Sequence, residues 1–278
     1  MPTSKKITIK RLGIIAGGGN LPNHLISQCK RMGIEPYIVI FDGQESSVDV
    51  SKLQHLCTNL GSAGKIMDFF KGFSVKDLVM IGSINRPSFS DLKPDLKGVK
   101  ILSRIGIKFL GDNKLLEILE DELKNEGFML HGIHDFCDDI LAKNGVMGMH
   151  SPTQSDLENI SLGICSSQEL GRLDSGQSVV VQQGVVLAVE DSEGTDRLIE
   201  RAGFLLKDGE KAILVKSRKP QQSKHLDLPT IGKQTIEKAY KSGLSGIAVH
   251  ADNVIIVDQN EVIKLADNYD MFVYGFDV

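Results

Sequence analysis

Four short stretches in the second half of the chain gather the side chains that diphosphate chemistry uses. They are Asp174-Ser175-Gly176-Gln177, the run Glu190 to Arg197 with Glu193 and Asp196, Lys216 to Pro220 with Lys219, and Asp227-Leu228-Pro229-Thr230-Ile231-Gly232. Carboxylates can hold Mg²⁺ or orient a water, ammonium and guanidinium groups neutralise phosphate oxygens, and glycine and proline fix the shape of the loops between them. Each stretch alone has a plainer reading, because a charge run is usually solvated surface and acids at a helix start serve the helix dipole. Their company points to phosphoryl chemistry.

A second candidate site lies at the other end of the chain. Leu12 to Ala16 is an apolar run that breaks into Gly17-Gly18-Gly19-Asn20 and reaches Pro22. Strand, loop and helix are expected in that order, with Pro22 at the helix start, where its missing N–H is not needed. Exposed glycine N–H groups and a helix N-terminus suit a phosphate. A dinucleotide fingerprint would place a third glycine where Pro22 stands, although Asp42, 23 residues beyond Gly19, sits where a ribose-binding acid belongs. A phosphate site and a simple tight turn both remain open readings of the loop. His131-Gly132-Ile133-His134-Asp135 has metal-ligand types, but side chains alternate across a strand, so the expectation there is a domain-junction loop.

Alternating apolar strands and helical patterns position these groups. The first half reads as a parallel α/β sheet: a βαβ unit from Leu12 to Phe41, a third strand at Leu78 to Ile81 carrying Asn85-Arg86-Pro87 at its carboxyl end, a helix from Gly111-Asp112 to Asn125, and a strand at Phe128 to His131. The second half reads as shorter strands at 178–182, 185–189, 212–216, 246–250 and 254–257, helices at 195–202, 236–241 and 261–268, and a long loop from Lys219 to Gly232. The expected fold is α/β in two domains, a Rossmann-like parallel sheet over 1–134 and a mixed α/β domain over 135–278.

With 41% hydrophobic and 24% charged residues the chain is of globular composition, and 32 basic against 36 acidic residues leave no electrostatic footprint for nucleic acid. No apolar run reaches membrane-span length and no signal-peptide core is apparent, so a cytoplasmic protein is expected. Cys29, Cys57, Cys137 and Cys165 are scattered, without a C-x-x-C pair, and read as buried reduced thiols.

Taken together and in order, Gly13 to Pro22, Asn85-Arg86-Pro87, Gly111-Asp112, Gly176-Gln177, Glu193-Gly194-Thr195-Asp196, Lys216 with Lys219-Pro220, and Asp227 to Gly232 resemble the UDP-2,3-diacylglucosamine pyrophosphatase family of lipid A biosynthesis, in the form without a metallophosphoesterase fold. The resemblance implies a two-domain enzyme of a Gram-negative bacterium. Such an enzyme would hydrolyse UDP-2,3-diacylglucosamine to 2,3-diacylglucosamine 1-phosphate and UMP, with Mg²⁺ assisting the attack of water on the α-phosphorus. Before its Asp-Leu-Pro the family usually reads Lys-Pro-Gly-Gln-Asp-x-Arg, whereas residues 219–225 are Lys-Pro-Gln-Gln-Ser-Lys-His, with Ser223 and His225 at the departures.

On this reading Asp227, Lys216 and Lys219 are the catalytic residues and Glu193 and Asp196 the metal ligands. Gly17, Gly18, Gly19, Asn20, Asp42, Arg86, Gln177 and Thr230 bind substrate. Mg²⁺ is the expected cofactor and NAD is not. The partner is a glycolipid nucleotide. Its two acyl chains call for an apolar chamber or contact with the inner-membrane surface, and a homo-oligomer is also among the expectations. The alternatives are a UDP-sugar-binding regulatory protein without turnover and a nicotinamide oxidoreductase.

Overall fold

The computed structural model describes residues 9–44, 47–84, 92–105, 112–137 and 139–278, with the backbone alone for residues 105 and 112–114. Arg86, with Asn85, Pro87 and Gly111, lies outside the described residues. The chain divides into two compact units. One runs through Cys137 and takes in His225–Asp227; the other holds the remainder up to Lys224 and Leu228–Val278.

The first unit is built on a parallel sheet of β1 (Arg11–Ala16), β2 (Glu35–Phe41), β3 (Gln54–Thr58), β4 (Asp77–Ile81) and β5 (Met129–His131), in the order β3-β2-β1-β4-β5. The central strands are apolar on both faces, as a parallel sheet covered by helices demands. The accompanying helices are α1 (Leu21–Met32), α2 (Ala63–Gly72), α3 (Leu96–Ile105) and α4 (Asp112–Asn125). Gly33 closes α1 in the left-handed conformation, its N–H bonded to the carbonyls of Cys29 and Lys30. Strand β3 and helices α2 and α3 are absent from the sequence reading, so the strand at 77–81 is the fourth. The reason is visible in β3. It is an edge strand in which Thr58 alone is buried, and its Gln-His-Leu-Cys-Thr carries no apolar alternation. Edge placement also exposes Cys57, and Cys165 on the second unit is exposed as well, so the expectation of four buried thiols holds only for Cys29 and Cys137.

The second unit is a mixed sheet of β6 (Gly145–Met147), β7 (Ser178–Gln182), β8 (Val185–Val189), β9 (Ile213–Lys216), β11 (Gly246–His250) and β13 (Phe272–Phe276), in the order β6-β13-β11-β9-β7-β8. The short pair β10 (Thr230–Ile231) and β12 (Ile255–Ile256) stands beside it. Helix α5 (Gln154–Arg172) covers one face, its Ile160 packing with Val179, Val181, Ile213 and Val215. Helices α6 (Thr195–Gly203), α7 (Lys233–Lys241) and α8 (Gln259–Asn268) cover the other through Leu198, Ile199, Ile236, Ala239 and Val262. At 19 residues α5 is the longest helix described, yet it has no counterpart in the sequence reading. Its serines and glycines blunt the apolar stripe, and Gly163 is needed because a Cβ there would lie 2.4 Å from Val215 Cγ2. No described helix is long and apolar enough to cross a membrane.

The glycine turn after β1 is held by the turn after β4. The Gly17 N–H donates to the Ile81 carbonyl at 2.8 Å, the Gly18 N–H to the Ser83 carbonyl at 2.7 Å, and the Ser83 N–H returns to Gly18 at 3.2 Å. A Cβ on Gly17 would stand 2.4 Å from the Ser83 carbonyl oxygen, whereas one on Gly19 (φ 84°) would meet nothing within 4 Å. Gly17→Ala therefore has to separate two paired loops and is expected to cost about 1–3 kcal/mol as an overpacking defect. Gly19→Ala pays only the left-handed backbone, about 1–2 kcal/mol. Urea denaturation of both variants checks this, with the larger fall in midpoint expected for G17A.

Candidate functional site

In the first unit, parallel strands β1 and β4 end side by side where the strand order reverses, and ligands of open α/β sheets gather at such a point. Gly17 and Gly18 spend their N–H groups on the β4 turn, so they shape the floor of this end of the sheet instead of donating to a ligand. Gly19 and Asn20 are exposed at the start of α1. The Gly19 carbonyl accepts from the Ser47 hydroxyl at 2.7 Å, and Asn23 Nδ2 bonds to that hydroxyl at 3.0 Å. Asp42, just past β2, accepts from Cys57 Sγ at 2.8 Å, and the same hydrogen bond pushes the Cys57 thiol above its usual range.

The second unit gathers its polar groups at the carboxyl end of β9. Lys216 Nζ donates to Thr195 Oγ1 at 2.7 Å, and that hydroxyl donates to Glu190 Oε1 at 2.6 Å. Lys216 and Glu190 are buried, at 4% and 6% exposure, and a buried charge of either sign persists only with such partners. Gln177 N donates to the other Glu190 oxygen at 3.0 Å, and Gln177 Oε1 is buried with no hydrogen-bond partner among the described residues. Gly176 must be glycine because a Cβ would lie 2.3 Å from the Glu190 carbonyl oxygen. Thr195 opens α6, where the dipole adds to the local positive charge.

The loop after β9 is strapped to the carboxyl half of α5. Ser167 and Ser217 hydroxyls meet at 2.7 Å, Gln168 Nε2 donates to the Arg218 carbonyl at 3.2 Å, and Gln221 Nε2 donates to the Gly171 carbonyl at 2.6 Å. Lys219 Nζ lies 2.7 Å from Asp174 Oδ1, and Thr230 Oγ1 bonds to the Leu228 carbonyl at 3.1 Å. Glu190, Ser217 and Arg218 are thus members of the cluster that the sequence reading did not single out. The signal for Glu190 was its place at a strand end within an acidic run.

Two expected metal ligands are otherwise engaged. Glu193 Oε1 pairs with Arg201 at 2.5 Å and Asp196 Oδ2 with Lys238 at 3.2 Å. Each carboxylate therefore carries a cationic partner, which a bound Mg²⁺ would have to displace or share. Asp227 is exposed and is grouped with the first unit, whereas the sequence expectation puts it in the second domain. Among the described residues, the His, Cys, Asp and Glu side chains that converge are His134, Asp135 and His225, with ligand atoms within 4.8 Å of one another.

Two family models match: that of the LpxI N-terminal domain over residues 11–140 and that of the LpxI C-terminal domain over residues 143–274. The chain belongs to the LpxI family. It is similar to the UDP-2,3-diacylglucosamine pyrophosphatase LpxI of Caulobacter vibrioides, 35% identical over 276 residues that cover 97% of this chain and 98% of that protein. Among solved structures, an L-amino acid ligase from Bacillus licheniformis aligns with 66% of this chain and 39% of its own at 14% identity and a TM-score of 0.22, too slight a likeness to argue from. In this LpxI-family chain the two family domains meet between residues 140 and 143, and the first compact unit ends at Cys137 before regaining 225–227.

His250, at the end of β11, stacks on Phe276 with ring centroids 5.8 Å apart. Burial, then the Arg218 and Lys224 charges, hold its pKa below the usual imidazole value. The unfolded chain therefore takes up this proton first. The contribution of neutral His250 to stability is present above the unfolded value of about 6.5 and is lost as pH falls below it. His250→Gln is expected to flatten the acid side of the stability profile between pH 7 and 5, as read from urea midpoints across that range.

Proposed function

We propose that this chain hydrolyses UDP-2,3-diacylglucosamine to UMP and 2,3-diacylglucosamine 1-phosphate in lipid A biosynthesis. The observation that carries this reading is the end-to-end match, across both domains, with a curated pyrophosphatase of that substrate. The strand order 3-2-1-4-5 supports a Rossmann-like nucleotide end, where Gly17 and Gly18 set the floor and Gly19, Asn20, Asp42 and Arg86 contact the uridine nucleotide.

Asp227 orients the attacking water, and Lys216 and Lys219 stabilise charge on the diphosphate as the bond to the α-phosphorus breaks. Thr195 and Glu190 hold the Lys216 ammonium in one place, so little reorganisation accompanies the developing charge. Gln177 and Thr230 supply further contacts, and the buried Gln177 Oε1 suits a substrate hydroxyl or amide donor. A bound Mg²⁺ would neutralise phosphate oxygens, with Glu193 and Asp196 as its ligands once they exchange Arg201 and Lys238 for the ion. NAD is not part of the reading: Pro22 stands at the third glycine of the fingerprint, and two of the three glycine N–H groups serve the β4 turn. Each buried CH₂ is worth about 0.8 kcal/mol, so the acyl chains favour an apolar chamber or the membrane surface over water.

Incubation of the purified chain with UDP-2,3-diacylglucosamine and Mg²⁺ is expected to release UMP above a no-protein control. Binding of the UDP-sugar by calorimetry without UMP would instead establish the regulatory reading to which Ser223 and His225 lend support. Asp227→Asn is expected to remove turnover with substrate affinity changed only severalfold. Lys216→Met should lower kcat by about a hundredfold or more, the loss typical of one electrostatic stabiliser.

A further inference from the structure

We propose that His134, Asp135 and His225 form a site for a divalent transition-metal ion, with Zn²⁺ the best-suited occupant. This goes beyond the hydrolase reading and does not depend on it. After β5 the backbone turns into a single 3-10 turn over Ile133–Asp135, so His134 and Asp135 do not alternate as strand neighbours would. His225 reaches the same place from the segment His225–Asp227 that belongs with this unit.

The Asp135 carboxylate is the centre of the group. Its Oδ1 lies 3.9 Å from His134 Nε2 and its Oδ2 lies 4.0 Å from His225 Nδ1, while the two rings stack at 6.1 Å with an interplanar angle of 20°. Zinc with bonds near 2.0–2.1 Å places tetrahedral ligand atoms about 3.3 Å apart, so the two histidine–carboxylate separations have to close by about 0.6–0.7 Å on binding, and any pair at the 4.8 Å limit of the group by about 1.5 Å. His225 is exposed and can swing through that distance.

Support for the carboxylate is already in place. The Gly132 N–H donates to Asp135 Oδ2 at 3.1 Å. His131 Nδ1 lies 3.7 Å from the same oxygen, with its Nε2 2.8 Å from Asp77 Oδ1. The Gly132 hydrogen bond is an outer contact of the kind that orients a metal ligand.

Two imidazoles and one carboxylate favour Zn²⁺ and its neighbours over Mg²⁺ or Ca²⁺, which take oxygen donors. Three protein ligands also leave a position for water or a phosphate oxygen. Arginine has no lone pair to offer a metal, so replacing His225 by arginine removes one ligand of the group.

Titration of the full chain with Co²⁺, followed by its visible d–d absorption, is expected to saturate at one equivalent. Zn²⁺ should abolish the band and millimolar Mg²⁺ should leave it. His225→Arg and His134→Gln should each weaken Co²⁺ binding by more than about a hundredfold. His55→Ala, on edge strand β3 at the opposite end of the sheet, serves as the unchanged control. The exposed His225 makes H225R the deciding variant, with its fold checked by circular dichroism. Absence of a stoichiometric band in the native chain, or a band that survives in folded H225R, overturns the proposal. UMP release in Mg²⁺ is measured separately on the same samples, so loss of turnover with an intact Co²⁺ band sinks the hydrolase reading and leaves the metal site standing.

Discussion

Burial of Leu226 is the contact on which the placement of the chain's most informative loop depends. At 9% exposure it packs into the apolar core of the first unit with Ile15, Leu78, Ile118 and Leu130. An apolar side chain of that size gains about 1.5–3 kcal/mol by leaving water. The anchor joins His225–Asp227 to a unit whose other residues end at Cys137. His225 and Asp227 are the exposed flanks of this one buried residue. Both the carboxylate assigned to the attacking water and the third ligand of the His134–Asp135 group are therefore positioned by packing rather than by local sequence.

A second constraint is the close approach of the two turns at the ends of β1 and β4. Gly17 and Gly82 are glycines because backbone meets backbone there: a Cβ on Gly82 would lie 2.6 Å from the Gly18 carbonyl oxygen. The result is a turn whose first two glycine N–H groups are consumed by the β4 loop, with Gly19 and Asn20 exposed at the helix start. The second unit follows the same logic at Gly176, where absence of a side chain lets the Glu190 backbone pass and brings its carboxylate to Gln177 N and Thr195.

Four of the six strands of the second sheet were legible, β7, β8, β9 and β11, and β6 and β13 were not. Ser178 to Gln182 and Val185 to Val189, joined at Gln183-Gly184, are apolar β-formers around a turn in which both residues adopt positive φ. The region from 154 to 172 was not legible, since Gly163 faces the sheet for close approach and Ser167 the loop after β9 for hydrogen bonding, where a typical amphipathic helix would present large apolar groups. Glu193 and Asp196 show the same limit in the site. Their type and spacing suit a metal, and only the positions of Arg201 and Lys238 reveal two ion pairs.

Local sequence determined the α/β class, the βαβ start with its glycine turn, and the family to which the chain belongs, because hydrophobic period, turn chemistry and ordered motifs are short-range properties. Tertiary structure decided which polar groups meet. Lys216 comes to Thr195 and Glu190 because β9 pairs with β7 beneath the start of α6, and His225 comes to Asp135 because Leu226 is buried ninety residues downstream of that turn. Convergence of distant residues depends on which apolar surfaces pack together, a non-local quantity that no window of sequence contains.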